Sequence, residues 1–399
     1  MTSAIEAILD ADVLMDRAAA SARLDDFGDP GFIEPLKEYL AGAARYFPFP
    51  ERLAASFADT IVNELVNRLR LTEDLKRHPE ILDEDVSDPI LVTGLPRTGT
   101  TKLQRVLSAD PANQPLSYWK VLNFARFPGA VPGEPDPRIA VAKAACDRLA
   151  AESPEILKAH PFHHDQPEED CLFVSANYDH FQNSGLVSED RFCAYIRSCP
   201  RDSAYRYLRT ILKYLQWQEG GKRGPWILKS PVHIGYLPEV MATFPDATIA
   251  QCHRDAATAF ASLCRLRGLW EELTTGRLDP RQTARDQLRV WGMEWDRNQA
   301  DRAALPPDSR FIDIDYVEIR DDAISVAERI YALAGRRLAD AGKDAIEQWE
   351  AEHRKDRFGK LDYRLEDYGL SPEQVRERLR LRTPLRQTKI ASTATAPSC

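Results

Sequence analysis

The stretch that most constrains this chain is residues 90–103, ILVTGLPRTGTTKL. An apolar run leads into a loop bounded by Gly94 and Gly99, and a helical pattern follows. A strand, a glycine-bounded loop and a helix start form an anion cradle, because backbone N–H groups converge there and the helix dipole adds positive potential. The spacing nearly matches the P-loop pattern, but Thr100 stands where that pattern has its phosphate-binding lysine. We therefore expect an anion-binding loop on a parallel sheet.

Three further strand-then-helix units support that expectation. Strands are predicted at Trp226–Lys229, Ala247–His253 and Phe311–Tyr316, and each leads into a helical pattern. With the strand predicted at Ile90–Thr93 they make four βα units, which are typical of a parallel sheet with helices on both faces. The sequence therefore predicts an α/β fold with a P-loop-like parallel sheet flanked by helices.

Changes of pattern divide the chain into regions. Apolar residues at helical spacing predict an added helical N-terminal region over 1–87. The α/β core is expected at 88–340 and includes a mainly helical insertion, about 111–220, whose Pro-rich beginning predicts irregular loops. A C-terminal segment follows at 341–385. The small, polar stretch 386–399 is expected to be disordered.

Composition narrows the class of partner and the cellular setting. The formal net charge of −9 argues against nucleic acid or an anionic membrane as the main partner. The N-terminal stretch carries acids within its apolar pattern, so no signal peptide is predicted, and no stretch approaches the roughly 18 apolar residues of a membrane span. The seven cysteines are scattered without a C-x-x-C pair. A reduced, cytoplasmic protein without disulfides or structural zinc is expected.

The missing lysine narrows the class of nucleotide that the loop is expected to bind. NTPases and kinases use that lysine on the β- and γ-phosphates, together with Mg²⁺. The loop here instead offers Arg97 and the hydroxyls of Thr98, Thr100 and Thr101, which can hold a terminal phosphate without that apparatus. An ordinary NTPase is disfavoured. A kinase-like phosphotransferase with a displaced lysine and a non-catalytic nucleotide-binding module stay open as alternatives.

The segment LPRTGTT resembles the 5′-phosphosulfate-binding loop of sulfotransferases that use 3′-phosphoadenosine 5′-phosphosulfate (PAPS). The resemblance extends over roughly Ile90–Tyr368. It is strongest in four motifs, PRTGTT, PEED, LKSP-x-H and HRD, as in a bacterial branch of that family. The residues that it implies for binding the 5′-phosphosulfate are Arg97, Thr98, Gly99, Thr100 and Thr101.

A second phosphate site is implied by QCHRDAATAFASLCRL. Arg254 at a strand end and Ser262 eight residues later resemble the family's 3′-phosphate site, where a guanidinium, a hydroxyl and a helix N-terminus converge on a dianion. The resemblance also implies that Tyr316 lies near the adenine, with a buried structural tyrosine as the alternative. In the family a basic, glycine-containing segment often closes over the 3′-phosphate, and a solvated charge run is the alternative here. The residues implied for that segment are Arg357, Gly359 and Lys360.

The catalytic residues are expected at the same edge of the sheet. Sulfuryl transfer to a hydroxyl needs a base for the acceptor proton and positive charge at the transferring oxygens. In WILKSPVHIGYLP, Lys229 ends a strand and His233 lies in the next turn, near the carboxyl edge where ligands bind. By resemblance to cytosolic sulfotransferases, Lys229 is the stabilising cation and His233 the base. The offset K-x-x-x-H is wider than the K-x-H of those enzymes.

A rival base lies in AHPFHHDQPEEDCLF. Its histidines and acids suggest a metal site when taken alone, but no second ligand cluster lies elsewhere at a telling spacing. Because some sulfotransferases use a glutamate as base, Glu168 and Glu169 are alternates to His233, and acids at a helix N-terminus are the structural interpretation. No metal is expected, because the sulfuryl group carries little charge.

Two positions depart from the family's pattern. Some relatives carry a tryptophan directly after the threonine pair, which stacks on adenine, but this chain has Lys102, so its adenine-stacking residue is unassigned. Family members often show Trp-Glu where this chain has Trp119 and Lys120. That difference removes one acidic candidate and favours His233 as the base.

The sequence thus predicts a PAPS-dependent sulfotransferase that transfers a sulfuryl group to a hydroxyl of a small or lipid-like acceptor. Its other product is 3′-phosphoadenosine 5′-phosphate. The insertion is expected to face the acceptor, and the C-terminal segment to close over the nucleotide. The identity of the acceptor is open, and so is the choice between a monomer and a homodimer.

Overall fold

A five-stranded parallel sheet in the order β2-β3-β1-β4-β5 lies at the centre of the structure. The structure is a computed structural model, and it describes residues 2–130, 133–276, 278–353, 364–382 and 385–386. The strands are β1 Ile90–Gly94, β2 Gln114–Pro115, β3 Trp226–Lys229, β4 Thr248–His253 and β5 Phe311–Asp315. The α/β prediction is confirmed, and four strands agree with the predicted bounds to within one residue. The fifth strand, β2, was not predicted, because irregular loops were expected in this Pro-rich segment. A strand of two residues is too short to show an alternating pattern in the sequence.

Helices cover both faces of the sheet and make up most of the N-terminal region. They are α1 Thr2–Ile8, α2 Ala11–Ala22, α3 Ile33–Tyr46, α4 Glu51–Arg77, α5 Thr100–Ala109, α6 Tyr118–Leu122, α7 Pro137–Glu152, α8 Pro154–Ala159, α9 Cys171–Ser175, α10 Phe181–Leu186, α11 Asp190–Ser198, α12 Ser203–Gln218, α13 Leu237–Thr243, α14 Ala256–Thr275, α15 Pro280–Ala304, α16 Tyr316–Asp321, α17 Ala323–Leu333, α18 Asp340–Glu352 and α19 Pro372–Arg378. Short 3₁₀ turns lie at Pro30–Phe32, Pro79–Asp83, Pro231–Gly235 and Leu365–Tyr368. None of the helices in the described ranges is both long and apolar enough to cross a membrane.

The two faces of the sheet belong to different hydrophobic cores. In β1, Ile90 and Val92 join a core that includes residues of α5, α17 and α18. Leu91 between them joins the other core, with residues of the N-terminal helices, α12, α14 and α15. Successive side chains of a strand point to opposite faces, so β1, β3, β4 and β5 each contribute to both cores. This arrangement explains the continuous apolar run of β1, because both of its faces are covered.

The N-terminal helices pack directly on the insertion. Tyr39 of α3 stacks on Tyr178 with ring centroids 5.8 Å apart, and it also contacts Phe192 of α11. The Arg68 guanidinium of α4 donates to the side-chain oxygen of Asn177 at 2.8 Å. The predicted N-terminal region and the insertion therefore share one core.

The described part of the C-terminal segment lies against the α/β core. The indole N–H of Trp295 in α15 donates to the Arg380 carbonyl at 3.0 Å, beyond the end of α19. The backbone N–H of Asp313 in β5 donates to the Arg386 carbonyl at 2.8 Å. The rest of the stretch predicted to be disordered, 387–399, lies outside the described residues.

Three of the sequence motifs meet because β1 lies between β3 and β4. Val92 of β1 pairs with Lys229 of β3, and Gly94 of β1 pairs with Cys252 of β4. The carboxyl ends of these parallel strands share one edge of the sheet. The glycine-bounded loop, the LKSP-x-H segment and the HRD segment all begin at that edge, where ligands bind in open α/β sheets.

Candidate active site

Two glycines fix the loop that follows β1. Gly94 has a φ of 139°, and a Cβ atom there would collide with the carbonyl oxygen of Cys252 on β4. Gly99, which caps α5, has a φ of 97°, and a Cβ atom there would lie 2.8 Å from the Tyr316 ring. Both positions combine a left-handed backbone with close packing, which glycine alone tolerates well. The loop is therefore held tightly between β4 and the start of α16.

The loop after β1 and the first turn of α5 offer an anion mainly backbone N–H groups. Arg97 has a φ of 70°, in the left-handed region that helps backbone N–H groups to form anion-binding concavities. The Thr98 hydroxyl donates to the Leu95 carbonyl at 2.7 Å, so its proton is used within the loop. Thr98 can therefore offer its backbone N–H to an anion, but not its hydroxyl proton. Thr100 and Thr101 begin α5, where the N–H groups of the first turn lack helical partners.

The two predicted phosphate sites meet in one cluster. The Arg97 Nε atom donates to the Ser262 hydroxyl oxygen at 3.0 Å. The Arg254 guanidinium donates to the Arg97 carbonyl at 3.1 Å and lies 4.4 Å from the centre of the Tyr316 ring. Four side chains predicted from separate parts of the sequence thus lie together at the carboxyl ends of β1, β4 and β5.

The aspartate of the HRD segment has a structural role. Asp255 caps α14 and accepts from the Thr258 backbone N–H at 2.9 Å. Its carboxylate also accepts from the Arg376 guanidinium of α19 at 2.8 Å. The contacts with Arg376 and Thr258 lower the pKa of Asp255 to about 2. This acid therefore joins α14 to the C-terminal segment.

A cavity of about 260 Å³ lies beside Arg254. Thr98 and the end of β4 line one side, and Arg376, Arg380 and apolar residues of the C-terminal segment line the other. Lys229 and the PEED acids do not line it. The cavity therefore adjoins Thr98 and Arg254 of the cluster, but not the PEED acids.

Each of the three consecutive acids of the PEED motif contacts a different basic side chain. The pairs are Glu168 with His160 at 2.9 Å, Glu169 with Lys229 at 2.5 Å, and Asp170 with His233 at 3.0 Å. Exposure separates the three carboxylates: the side chain of Glu169 is 22% exposed, that of Glu168 7% and that of Asp170 0%. Glu169 is therefore the acid of the motif that a small molecule can reach most readily.

Lys229 connects the PEED motif with the start of α5. Its side chain is fully buried at the end of β3. Its ammonium donates to the Glu169 carboxylate at 2.5 Å and to the Thr101 hydroxyl oxygen at 3.2 Å. The structure thus brings Lys229 to the glycine-bounded loop, as the sequence predicts.

His233 is enclosed, although the sequence-based expectation has it face the ligand. It lies in the 3₁₀ turn Pro231–Gly235 with a fully buried side chain. Its Nε2 atom lies 3.0 Å from the Asp170 carboxylate, and its Nδ1 atom lies 2.8 Å from the Tyr205 hydroxyl. Both ring nitrogens are therefore engaged inside the protein. The physical reason is the buried tyrosine of α12, whose position no local spacing reveals.

Glu168 is likewise committed to internal contacts. Burial alone would raise its pKa, but the nearby His160, Lys229 and Arg105 outweigh burial and lower the pKa to about 2. Its carboxylate also accepts from the Glu169 backbone N–H at 2.9 Å. His160, Glu168 and Glu169 offer potential metal ligands within 4.8 Å of one another. The Lys229 ammonium already supplies positive charge to this group.

Both departures from the family's pattern have partners in the structure. The Lys102 ammonium lies 2.6 Å from the Glu350 carboxylate of α18. Lys120 is buried and forms an ion pair with Glu219 at the end of α12. Burial, followed by the nearby Arg223 and other charges, lowers the pKa of Lys120 to about 7. The basic segment that holds Arg357, Gly359 and Lys360 lies outside the described residues.

Sequence reasoning missed Tyr205 and gave Asp170 and His160 no role of their own. Asp170 could have been found, because it directly follows the two glutamates of the motif. His160 stands eight residues before the acid that it contacts, a spacing with no regular meaning outside a helix. Tyr205 is one of many apolar or aromatic residues on α12, so no signal in the sequence distinguishes it as a partner of His233.

Comparisons with known proteins identify the family and support the fold. The model of the "Sulfotransferase family" matches residues 89–340, more than half of the chain. The solved structure of sulfotransferase STF1 from Mycobacterium tuberculosis is similar, with 28% identity and a TM-score of 0.80 over 92% of this chain and 98% of that one. Sulfotransferase STF9 from Mycobacterium avium shows 27% identity and a TM-score of 0.80 over 92% of this chain and 94% of that one. A search of curated proteins gave no match. The family match over most of the chain establishes that the protein belongs to the sulfotransferase family.

Proposed function

We propose that this protein is a PAPS-dependent sulfotransferase that acts on a hydroxyl group of a small-molecule or lipid-like acceptor. The family supports sulfuryl transfer in general. The contact of Arg97 with Ser262, joined by Arg254, carries the proposal of PAPS as donor. A nucleotide with groups at both its 5′ and 3′ positions accounts for two cationic motifs that converge from different strands.

In this proposal the donor spans the cluster at the sheet edge. The 5′-phosphosulfate is held at the start of α5 by backbone N–H groups and Arg97, where the helix dipole favours an anion. The 3′-phosphate is held by Arg254 and Ser262, and Tyr316 lies near the adenine. The absence of a P-loop lysine suits a donor without β- and γ-phosphates.

Glu169 is the proposed general base, in place of His233. The acceptor oxygen attacks the sulfur in line and gives its proton to the Glu169 carboxylate as the new S–O bond forms. The bond between sulfur and the 5′-phosphate oxygen breaks, and 3′-phosphoadenosine 5′-phosphate leaves with the electron pair. Lys229 lies between the base and Thr101, so its ammonium can stabilise negative charge on the oxygens around sulfur. Lys229, Arg97 and the helix N-terminus supply the positive charge, so the proposed mechanism includes no metal.

The cysteines that the structure describes support a reduced, cytoplasmic setting for the enzyme. All six are free of disulfide bonds, and four are buried. Buried thiols of this kind are ordinary in proteins that stay in a reducing compartment.

The proposal is tested by incubating the protein with PAPS and a library of hydroxylated metabolites, with products read by mass spectrometry. We expect an acceptor whose mass increases by one SO₃ unit, with an equal amount of 3′-phosphoadenosine 5′-phosphate. A parallel reaction with ATP and Mg²⁺ should give no phosphorylated product. Phosphoryl transfer from ATP without any sulfated product would overturn the proposal in favour of a kinase-like enzyme.

A further inference from the structure

We infer that His233 is a positioning residue: supported by Tyr205, it holds Asp170 in place and thereby fixes the neighbouring Glu169 beside Lys229. This inference rests on the proposed function, because it assigns His233 a task relative to the base named above. It departs from the sequence-based expectation that His233 itself removes the acceptor proton.

The first argument is the use of the imidazole ring. A carboxylate only accepts hydrogen bonds, so the Nε2 atom, 3.0 Å from Asp170, carries a proton. In the neutral ring Nδ1 then accepts from the Tyr205 hydroxyl at 2.8 Å. Tyr205, His233 and Asp170 are all fully buried. A ring with both nitrogens occupied and no exposure cannot accept a proton from an acceptor without first breaking one of these bonds.

The second argument is the backbone around Glu169. On its N-terminal side, the Glu168 backbone N–H donates to the Leu116 carbonyl at 2.9 Å. On its C-terminal side, the Asp170 N–H makes a longer contact with the Lys229 carbonyl at 3.3 Å. The side chain of Asp170 strengthens that side through its bond to His233. Glu169 is thus the partly exposed residue between two buried anchors.

The third argument is the buried negative charge of Asp170, whose partner is His233. The two residues belong to the PEED and LKSP-x-H motifs, which also supply Glu169 and Lys229. A buried carboxylate that loses its partner is strongly destabilised and moves to find another one. Because Asp170 adjoins Glu169, any such movement displaces the proposed base from Lys229. Orientation of a reactive ligand or base by a second layer of hydrogen bonds follows the same logic in metal sites.

The kinetic test compares His233→Gln with His233→Ala, with PAPS as donor and para-nitrophenol as acceptor, or water if the phenol is not sulfated. Glutamine keeps an N–H donor near the Nε2 position but cannot act as a base. We expect kcat to fall by about 100-fold or more in His233→Ala and by less than about 10-fold in His233→Gln, with the KM for PAPS little changed in both. Tyr205→Phe keeps the ring and should lower kcat by only a few-fold. If His233→Gln folds, binds 3′-phosphoadenosine 5′-phosphate and is as inactive as His233→Ala, the positioning role is wrong.

A readout without turnover separates this inference from the proposed function. In ¹⁵N-histidine NMR spectra of the full-length protein, we expect the His233 ring to stay in a single Nε2–H tautomer, and Tyr205→Phe to shift its Nδ1 resonance. A mixture of tautomers in exchange with water would overturn the inference whether or not sulfuryl transfer is found. If the single tautomer is present and no acceptor is sulfated, the proposed function fails while the buried arrangement of His233 stands.

Discussion

The Lys229 ammonium lies 2.5 Å from the Glu169 carboxylate, at the point where the PEED motif meets the loop that follows β1. Lys229 is fully buried, whereas Glu169 keeps contact with solvent. The lysine also reaches the Thr101 hydroxyl. One buried cation therefore stands between the proposed base and the proposed position of the donor's sulfuryl group.

Replacing Glu169 tests its role as base. Glu169→Gln keeps the shape of the side chain but removes its capacity to accept a proton. We expect kcat to fall by about 100- to 10,000-fold, while the affinity for 3′-phosphoadenosine 5′-phosphate changes less than about 3-fold. Steady-state kinetics and calorimetry measure the two quantities. Glu347→Gln on the exposed side of α18 is the matched control, and a Glu169→Gln enzyme with normal turnover would exclude the role.

Replacing Arg254 tests the site proposed for the 3′-phosphate. Arg254→Ala should raise the Kd for 3′-phosphoadenosine 5′-phosphate by about 10- to 100-fold, because it removes a charge-assisted contact worth about 1.5–3 kcal/mol. Binding of adenosine 5′-phosphate, which has no 3′-phosphate, should change little. Titration calorimetry with both nucleotides gives the comparison, and Arg285→Ala, at an exposed position of α15, serves as control. An equal loss of affinity for both nucleotides would show that Arg254 does not bind the 3′-phosphate.

Gly99 should tolerate no side chain. Gly99→Ala places a Cβ atom 2.8 Å from the Tyr316 ring at a φ of 97°. We expect a loss of about 1–3 kcal/mol in the free energy of unfolding, together with weaker nucleotide binding as the loop moves. Gly185→Ala is the control, since nothing lies within 4 Å of a Cβ atom there. Equal urea midpoints for the two variants would show that the loop adapts without cost.

Glu64 of α4 gives the fold a pH dependence. Burial raises its pKa from 4.5 to about 7, although the bond that it accepts from the Tyr178 hydroxyl at 2.7 Å opposes the shift. Because the folded-state pKa lies above the unfolded value, this contribution to stability is complete below about pH 4.5 and is lost as the pH rises through about 7. Glu64→Gln should therefore be more stable than the wild type at pH 8 by about 1–2 kcal/mol, and the difference should shrink by pH 5. Urea unfolding at both pH values measures this, and a gap that is constant with pH would contradict it.

Local patterns predicted the sheet edge well. The glycine-bounded loop, the end of β3 and the HRD segment each carry their own signal, and parallel strands place their carboxyl ends together. That reasoning predicts that the loop with Arg97 lies beside the HRD segment with Arg254, whereas the expectation that Ser262 and Tyr316 join them comes from the resemblance to the sulfotransferase family. The two-residue strand β2 was not predicted, because so short a stretch shows no alternating pattern.

The choice among Glu168, Glu169 and His233 could not be made from the sequence. It depends on which side chains are enclosed, and enclosure of His233 comes from Tyr205, which lies 28 residues away on α12. Adjacent glutamates look equivalent in sequence, yet one is held by His160 and the other remains partly exposed. Burial and tertiary partners, not residue type, separate these candidates.

The central claim is that the site binds a nucleotide with a 3′-phosphate and no β- or γ-phosphate. Titration calorimetry with 3′-phosphoadenosine 5′-phosphate, and in parallel with ATP plus Mg²⁺, tests it most directly. The account predicts one-to-one binding of 3′-phosphoadenosine 5′-phosphate and no measurable heat with ATP plus Mg²⁺. Tight binding of ATP with Mg²⁺, together with no binding of 3′-phosphoadenosine 5′-phosphate, would contradict it.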